Sequence, residues 1–328
     1  RFIKKLIKMT KKIGVVGGSG YTGGELIRIL VNHPNVEIDF VYSRTNDGKK
    51  IQDIHSDLIG KNLPFFSKKV NKNIDVVFLC LGHGNSSKFL KENSFLKKTV
   101  IIDLSNDFRL KNNNSFKDLN FVYGLPELKR ESIKNAKAIA NPGCFASLLQ
   151  LALLPLAENG LLKEEIHSNA TTGSTGAGVG MSETSHFSWR NNNLSWYKAF
   201  NHQHLDEIIE NINFSKINLI PQRGNFTRGI FLTCYTKFEH NLNYAKKIFE
   251  DYYKFEPFTF MSKNEISLKQ VVNTNNCVLH LHKHKDKLLV TGALDNLLKG
   301  ASGQAVQNLN IIMGWGEKLG LEFKANIF

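Results

Sequence analysis

Between residues 11 and 30 the chain reads "KKIGVVGGSGYTGGELIRIL": a short apolar run ends in glycines, and apolar residues at helical spacing (Leu26, Ile29, Leu30) begin at once. Three more short apolar runs follow, "VEIDFVYS", "IDVVFLCLG" and "TVIIDLS", each closed by polar or turn residues. Short apolar runs alternating with helical patterns predict a parallel sheet covered on both faces.

The loop between the first strand and its helix contains Gly18-x-Gly20-x-x-Gly23. Glycines there permit a tight turn and let a pyrophosphate approach the helix N-terminus, where unpaired N–H groups favour an anion. A tight structural turn is the plainer reading. With strand, helix and next strand all in place, the context favours a Rossmann-type dinucleotide site formed by Gly18, Ser19, Gly20, Tyr21, Thr22 and Gly23. The second strand ends "VYSRTN", without the acid that would bind the 2′-hydroxyl of NAD. Ser43, Arg44 and Thr45 suit a 2′-phosphate instead, so NADP is expected over NAD.

After residue 160 the texture changes. "HSNATTGSTGAGVG" reads as a strand giving way to a loop. "GIFLTCYTKF", "NCVLHLHKH" and "KLLVTGAL" read as longer strands, with "KHKDK" as a turn and "NYAKKIFEDYY" as a helix. This predicts an α+β unit on a mainly antiparallel sheet. His280, His282 and His284 alternate on one strand and are read as a half-exposed hairpin face; no metal site is expected.

The charge of +14 invites a nucleic-acid partner, but Lys is scattered and often beside Asn, with no dense basic block. A positive field also favours small acidic substrates. No run reaches the roughly 20 apolar residues a membrane span needs, and no nucleic-acid or membrane partner is expected. The four cysteines show no CxxC pairing; Cys80, Cys234 and Cys277 lie in apolar strand-like runs and read as packing thiols of a reduced, cytoplasmic protein. The basic start, residues 1–8, is read as a disordered extension upstream of Met9.

Cys144 differs. In "IANPGCFASLLQLALLPL" it stands between Asn-Pro-Gly and a long apolar run, at the first position of a helix. Helix N-termini stabilise thiolates, and the thiolate is the nucleophile, so this cysteine is expected to be ionised more readily than a model thiol. A helix-start cysteine chosen for its size is the plainer alternative. A proton-transfer partner is sought in "NHQHLDEI", which offers His202 and His204.

These motifs together resemble the N-acetyl-γ-glutamyl-phosphate reductases, within the wider aspartate-semialdehyde dehydrogenase superfamily. The resemblance runs from about residue 12 to the C-terminus and rests on "GGSGYTGGELIRIL", "DLSNDFRL", "YGLPE", "NPGCFAS", "TGSTGAG", "HQHLDEI", "RGIFLT" and "DNLLKGASGQAVQNLNIIMG". It implies NADPH-dependent reductive dephosphorylation of an acyl phosphate in arginine biosynthesis, through a thioester on Cys144 with His202 as acid/base. Arg109, Arg228, Asn141 and His204 are expected to contact substrate, and Gly173, Gly176 and Asn296 to close over the nicotinamide. The resemblance also implies an NADP-binding domain of residues 9–144 and 301–328. Residues 145–300 would then form a substrate and oligomerisation domain of a homodimer or homotetramer, with an acyl phosphate and phosphate as the small-molecule partners.

The sequence departs from that pattern after the cysteine, where Phe145-Ala146 replaces Tyr-Pro, and between the histidines, where Gln203 replaces Arg. An N-succinyl substrate would need one more cation, for which Arg190 and Arg223 are candidates. Aspartyl or aminoadipyl phosphate and, from another class, a non-catalytic NADP- or nucleic-acid-binding protein are the remaining alternatives.

Overall fold

The computed structural model describes residues 10–327, so the expected extension at 1–8 lies outside the described residues. β1 (Lys11–Val16) stops at Gly17, whose φ of +79° suits glycine alone, and the chain enters α1 (Tyr21–Leu30). Then follow β2 (Val36–Tyr42), β3 (Phe66–Ser67), β4 (Val76–Leu79), α2 (Asn85–Glu92), β5 (Val100–Asp103), β6 (Ser115–Phe116), β7 (Leu119–Tyr123), α3 (Pro126–Lys134) and β8 (Ala138–Ala140). The strands form one sheet in the order β3-β2-β1-β4-β5-β8-β7-β6, parallel except for β6 against β7. Neighbouring residues bury into opposite layers: Val15, Val76 and Ile102 pack with α1, while Val16, Val77 and Ile101 pack with α2. Burial on both faces is why these strands read as unbroken apolar runs.

α4 (Cys144–Glu158) opens the second half and is apolar nearly all round, as a helix buried on every side must be. It is followed by β9 (Ile166–Thr172), α5 (Phe187–Arg190), β10 (Ser195–Trp196), α6 (His204–Ile212), β11 (Ile217–Arg223), β12 (Ile230–Lys237), α7 (Leu242–Tyr253), β13 (Thr259–Met261), β14 (Cys277–His284), β15 (Lys287–Leu294) and α8 (Gly303–Ile312). The second sheet runs β10-β11-β9-β12-β15-β14-β13 and is mainly antiparallel; β11 with β9 and β13 with β14 are parallel. Helices α4, α6 and α7 cover one face, where Leu148, Ile208 and Phe249 meet Leu232 and Val290. α8 then crosses back to lie against α1 and α3. The fold is thus the expected pairing of a parallel dinucleotide-type sheet with an α+β unit. Strands β7 and β8, the latter feeding the Asn-Pro-Gly turn, were not among the expected ones: "NFVY" and "AIA" are too short to stand out by periodicity.

Candidate active site

A cleft of about 660 Å³ is lined from one side by Gly20, Thr22 and the loop after β4, and from the other by Thr172, Tyr197 and Arg223. Cys144 sits in it as the first residue of α4. Its N-cap, Gly143, carries no side chain to cap the helix and donates its N–H to Glu207 Oε2 at 3.1 Å. Glycine is required there because a Cβ would lie 2.3 Å from His204 Nε2. The expectation of a readily ionised thiol does not hold in the free cleft. Burial pushes Cys144 up to about 11, outweighing the Phe145 N–H and the Arg109 charge that act the other way.

Both expected histidines line the same cleft, their rings 4.6 Å apart. The His204 N–H donates to His202 Nδ1 at 3.2 Å, which leaves the neutral His202 ring with its proton on Nε2. Among the described residues, His204 Nδ1 is buried without a hydrogen-bond partner. Burial first, then the charge of Lys198, pushes His202 down to about 4; burial and Arg109 hold His204 well below its ordinary value. Both rings are therefore neutral at pH 7. Beneath them Glu207, which the sequence reading missed, accepts from Arg109 Nη1 at 3.0 Å and the Tyr123 hydroxyl at 2.8 Å. Its only signal in the sequence was its place three residues after His204, on the same helix face.

The expected arginines divide. Arg109 lines the cleft, but its guanidinium is engaged by Glu207, Asn141 O and Leu104 O. Arg228 does not reach the cleft: it forms a fork on Asp295 at 2.9 and 3.1 Å and donates to Glu25 Oε2 at 3.1 Å, tying α1 to β15's end. Its expected substrate role is corrected to a structural one, because buried Asp295 needs a cation. Arg190 is likewise turned inward, onto Thr184 O and Arg223 O. Arg223 lies over the Tyr197 ring at 4.7 Å and lines the cleft.

Asn141 lines the cleft, yet its side-chain amide is engaged by Ala301 O and Asn308. Asn296 braces the glycine loop, accepting from Gly229 N–H at 2.6 Å and donating to Thr175 Oγ1 at 3.0 Å. Gly173 is packed against Thr227, with space for a Cβ of only 2.4 Å, whereas Gly176 faces the cleft. Cys80 is half-buried and packs against the core of the first sheet, as read, while also lining the cleft; Cys234 and Cys277 are buried in the core.

The glycine loop fits a dinucleotide. A Cβ on Gly20 would meet only Gly17 O, at 3.8 Å, and would project into open cleft. α1 begins without a capping side chain and without an acid in its first turn, leaving N–H groups for an anion. Beyond it a cavity of about 290 Å³ is lined by Ser19, Ser43, Arg44, Thr45, Asn85 and Lys88. Arg44 is paired there with Glu92 at 3.0 Å on the surface.

Residues 12–136 match the model of the semialdehyde dehydrogenase NAD-binding domain, and residues 144–296 that of the semialdehyde dehydrogenase dimerisation domain. An N-acetyl-γ-glutamyl-phosphate reductase of Christiangramia forsetii is 57% identical over 321 residues, covering 96% of this chain and 99% of that protein. The chain belongs to the N-acetyl-γ-glutamyl-phosphate reductase family. The reductase of Flavobacterium johnsoniae is 55% identical over 96% of the chain and 99% of its own length. Among solved structures, an aspartate semialdehyde dehydrogenase from Vibrio cholerae shares the fold at a TM-score of 0.71 and 15% identity, covering 93% of this chain and 99% of its own. One from Candida albicans, with NADP, gives 0.69 at 16% identity over 93% and 99%.

Proposed function

We propose that the protein reduces N-acetyl-γ-glutamyl phosphate to N-acetylglutamate 5-semialdehyde, with NADPH, in arginine biosynthesis. One observation carries this: a cysteine at an uncapped helix start shares its cleft with two neutral histidines and a dinucleotide-type glycine loop. Gly20, Thr22 and the α1 N-terminus would hold the pyrophosphate, and Ser43 and Arg44 the 2′-phosphate. NADPH, when bound, supplies the hydride that reduces the thioester carbonyl.

Cys144 Sγ attacks the γ-carbonyl carbon; the carbon–oxygen bond to phosphorus breaks and phosphate leaves with the electron pair. The thiol proton goes to a neutral histidine of the cleft, for which His204, its Nδ1 unpartnered among the described residues, is the proposed acceptor. After reduction, His202 Nε2–H hydrogen-bonds the thiohemiacetal oxygen. Collapse breaks the carbon–sulfur bond, releases the aldehyde, and the sulfur recovers its proton from His204. This shares between two histidines the acid/base role first expected of His202 alone.

Residues 9–144 and 301–328 would form the nucleotide unit, and 145–300 the substrate and oligomerisation unit of a cytoplasmic homodimer or homotetramer. The uncovered face of the second sheet, with Ile220, Phe231, Tyr235 and Leu289, supports that assembly. An N-succinyl substrate is a second reading, favoured only by Arg223, which lines the cleft and forms no ion pair among the described residues. The test is phosphate-dependent reduction of NADP with N-acetyl- and N-succinyl-glutamate semialdehyde side by side. Turnover with the acetyl compound, lost in Cys144→Ser, is expected; no phosphate-dependent turnover with either would overturn the proposal.

A further inference from the structure

Two cleft residues have no part in the chemistry above. His83 stands in the loop joining β4 to α2, and Lys198 in the segment between β10 and α6; both line the cleft with Cys144. The Asn106 N–H donates to His83 Nδ1 at 3.2 Å, so the neutral ring carries its proton on Nε2. The mount is rigid: Asp107 accepts from the N–H groups of Gly84 and Ser87 at 2.6 and 2.9 Å, and Asp103 accepts from the Ser86 and Ser105 hydroxyls at 2.5 and 2.7 Å.

Lys198 has a left-handed φ of +45°, and Phe200, two residues on, +61°. Non-glycine residues keep such conformations only where the surroundings impose them, and they cluster at functional sites. The Lys198 ammonium donates to Gln203 Oε1 at 3.1 Å and, among the described residues, forms no ion pair. Arg109, by contrast, is balanced by Glu207, and Arg228 by Asp295 and Glu25.

We propose that His83 and Lys198 bind the phosphoryl group of the acyl phosphate, and inorganic phosphate in the reverse reaction; this rests on the reaction proposed above. An ammonium is a compact point charge with three donors, which suits a tetrahedral dianion, and the His83 Nε2–H adds a neutral donor of fixed direction. Burial and then the charges of Arg109 and Lys198, against Asp107, hold His83 below its ordinary value. Burial, Lys198 and His83 do the same to His202. With both rings thereby kept neutral, a dianion bound here meets the Lys198 ammonium, which has no ion pair among the described residues, and a neutral N–H donor beside it.

The test uses the full chain running in reverse, with semialdehyde and NADP, while phosphate is varied. One equivalent of NADPH formed per site without phosphate reads the thioester half-reaction separately. In Lys198→Met and His83→Ala the phosphate KM is expected to rise roughly tenfold or more, as loss of a charge-assisted hydrogen bond implies. The semialdehyde and NADP KM values should stay within about twofold by the same argument, and His83→Gln, which keeps an N–H donor, should recover part of the loss. An unchanged phosphate KM in an active parent and both variants, or a shift falling on semialdehyde or NADP instead, overturns this inference and leaves the reaction standing. A parent with neither the burst nor phosphate-dependent turnover overturns the proposed reaction and this inference with it.

Discussion

At Cys144 the cost of burying a thiolate exceeds what the helix start returns, and the thiol rises to about 11. The thiol is therefore held protonated at neutral pH. Alkylation of Cys144 by iodoacetamide should accelerate about tenfold per pH unit from pH 7, levelling only near 11, because the rate follows the thiolate fraction. With His202 near 4, no step should appear around pH 6 to 7. A plateau below pH 8, read by mass spectrometry of the labelled peptide, would show that the helix terminus prevails. At the other end of the cofactor groove, Arg44→Ala should raise the NADP KM about tenfold through a lost charge–phosphate pair and leave NAD little changed. Equal responses to both cofactors would remove the 2′-phosphate assignment.

Helix α1 carries the dinucleotide loop at one end and an ion network on its flank. Glu25 accepts from Arg28 Nε at 3.0 Å and from Arg228, whose other nitrogens hold Asp295, a carboxylate without exposed surface. Arg228→Met would leave that carboxylate only the N–H groups of Asn273, Leu297 and Leu298, and removing one partner of a buried pair costs about 3–5 kcal/mol. Urea unfolding should show this loss; a rise in the semialdehyde KM at unchanged stability would restore Arg228 to a substrate role. The turn before α8 uses the same device. Lys299 is fully buried and pairs with Glu127 of α3 at 2.8 Å, and Gly300 beside it would press a Cβ to 2.8 Å from the Cys144 Cβ. The nucleophile, the cofactor helix and α8 thus share one support, and local damage there should be felt at the sulfur.

For the molecule as a whole, 43 basic against 29 acidic residues leave +14, a field that favours anionic substrate and cofactor. Raising ionic strength from about 0.01 to 0.15 M shortens the Debye length from about 30 to 8 Å. The kcat/KM for acyl phosphate should fall steadily over that range, more than kcat does. A flat kcat/KM would mean that only the contact pairs matter. The second sheet tells a similar story of exposure: with α4, α6 and α7 on one face, its other face keeps Phe231, Thr233 and Leu289 half-buried in a row of paired strands. Light scattering should find an oligomer whose mass falls when Phe231 and Leu289 are both made Asp.

Period and spacing along the chain were enough for the parallel sheet, the glycine loop and the helix that begins at Cys144, because each depends on residues a few places apart. Unbroken apolar runs and helical spacing are local, and burial only has to agree with them. What a charged side chain does was decided elsewhere. Arg109 finds Glu207 across 98 positions and Arg228 finds Glu25 across 203, and nothing near either arginine distinguishes a bound cation from an accessible one. The same holds for Lys299, which composition would place on the surface, and for His83 and Lys198, which line one cleft only because two sheets close on it. Local sequence determined where the nucleophile and the cofactor loop stand; tertiary packing decided which cations remain to meet the substrate, since pairing energy depends on distance in space and on the water excluded between partners.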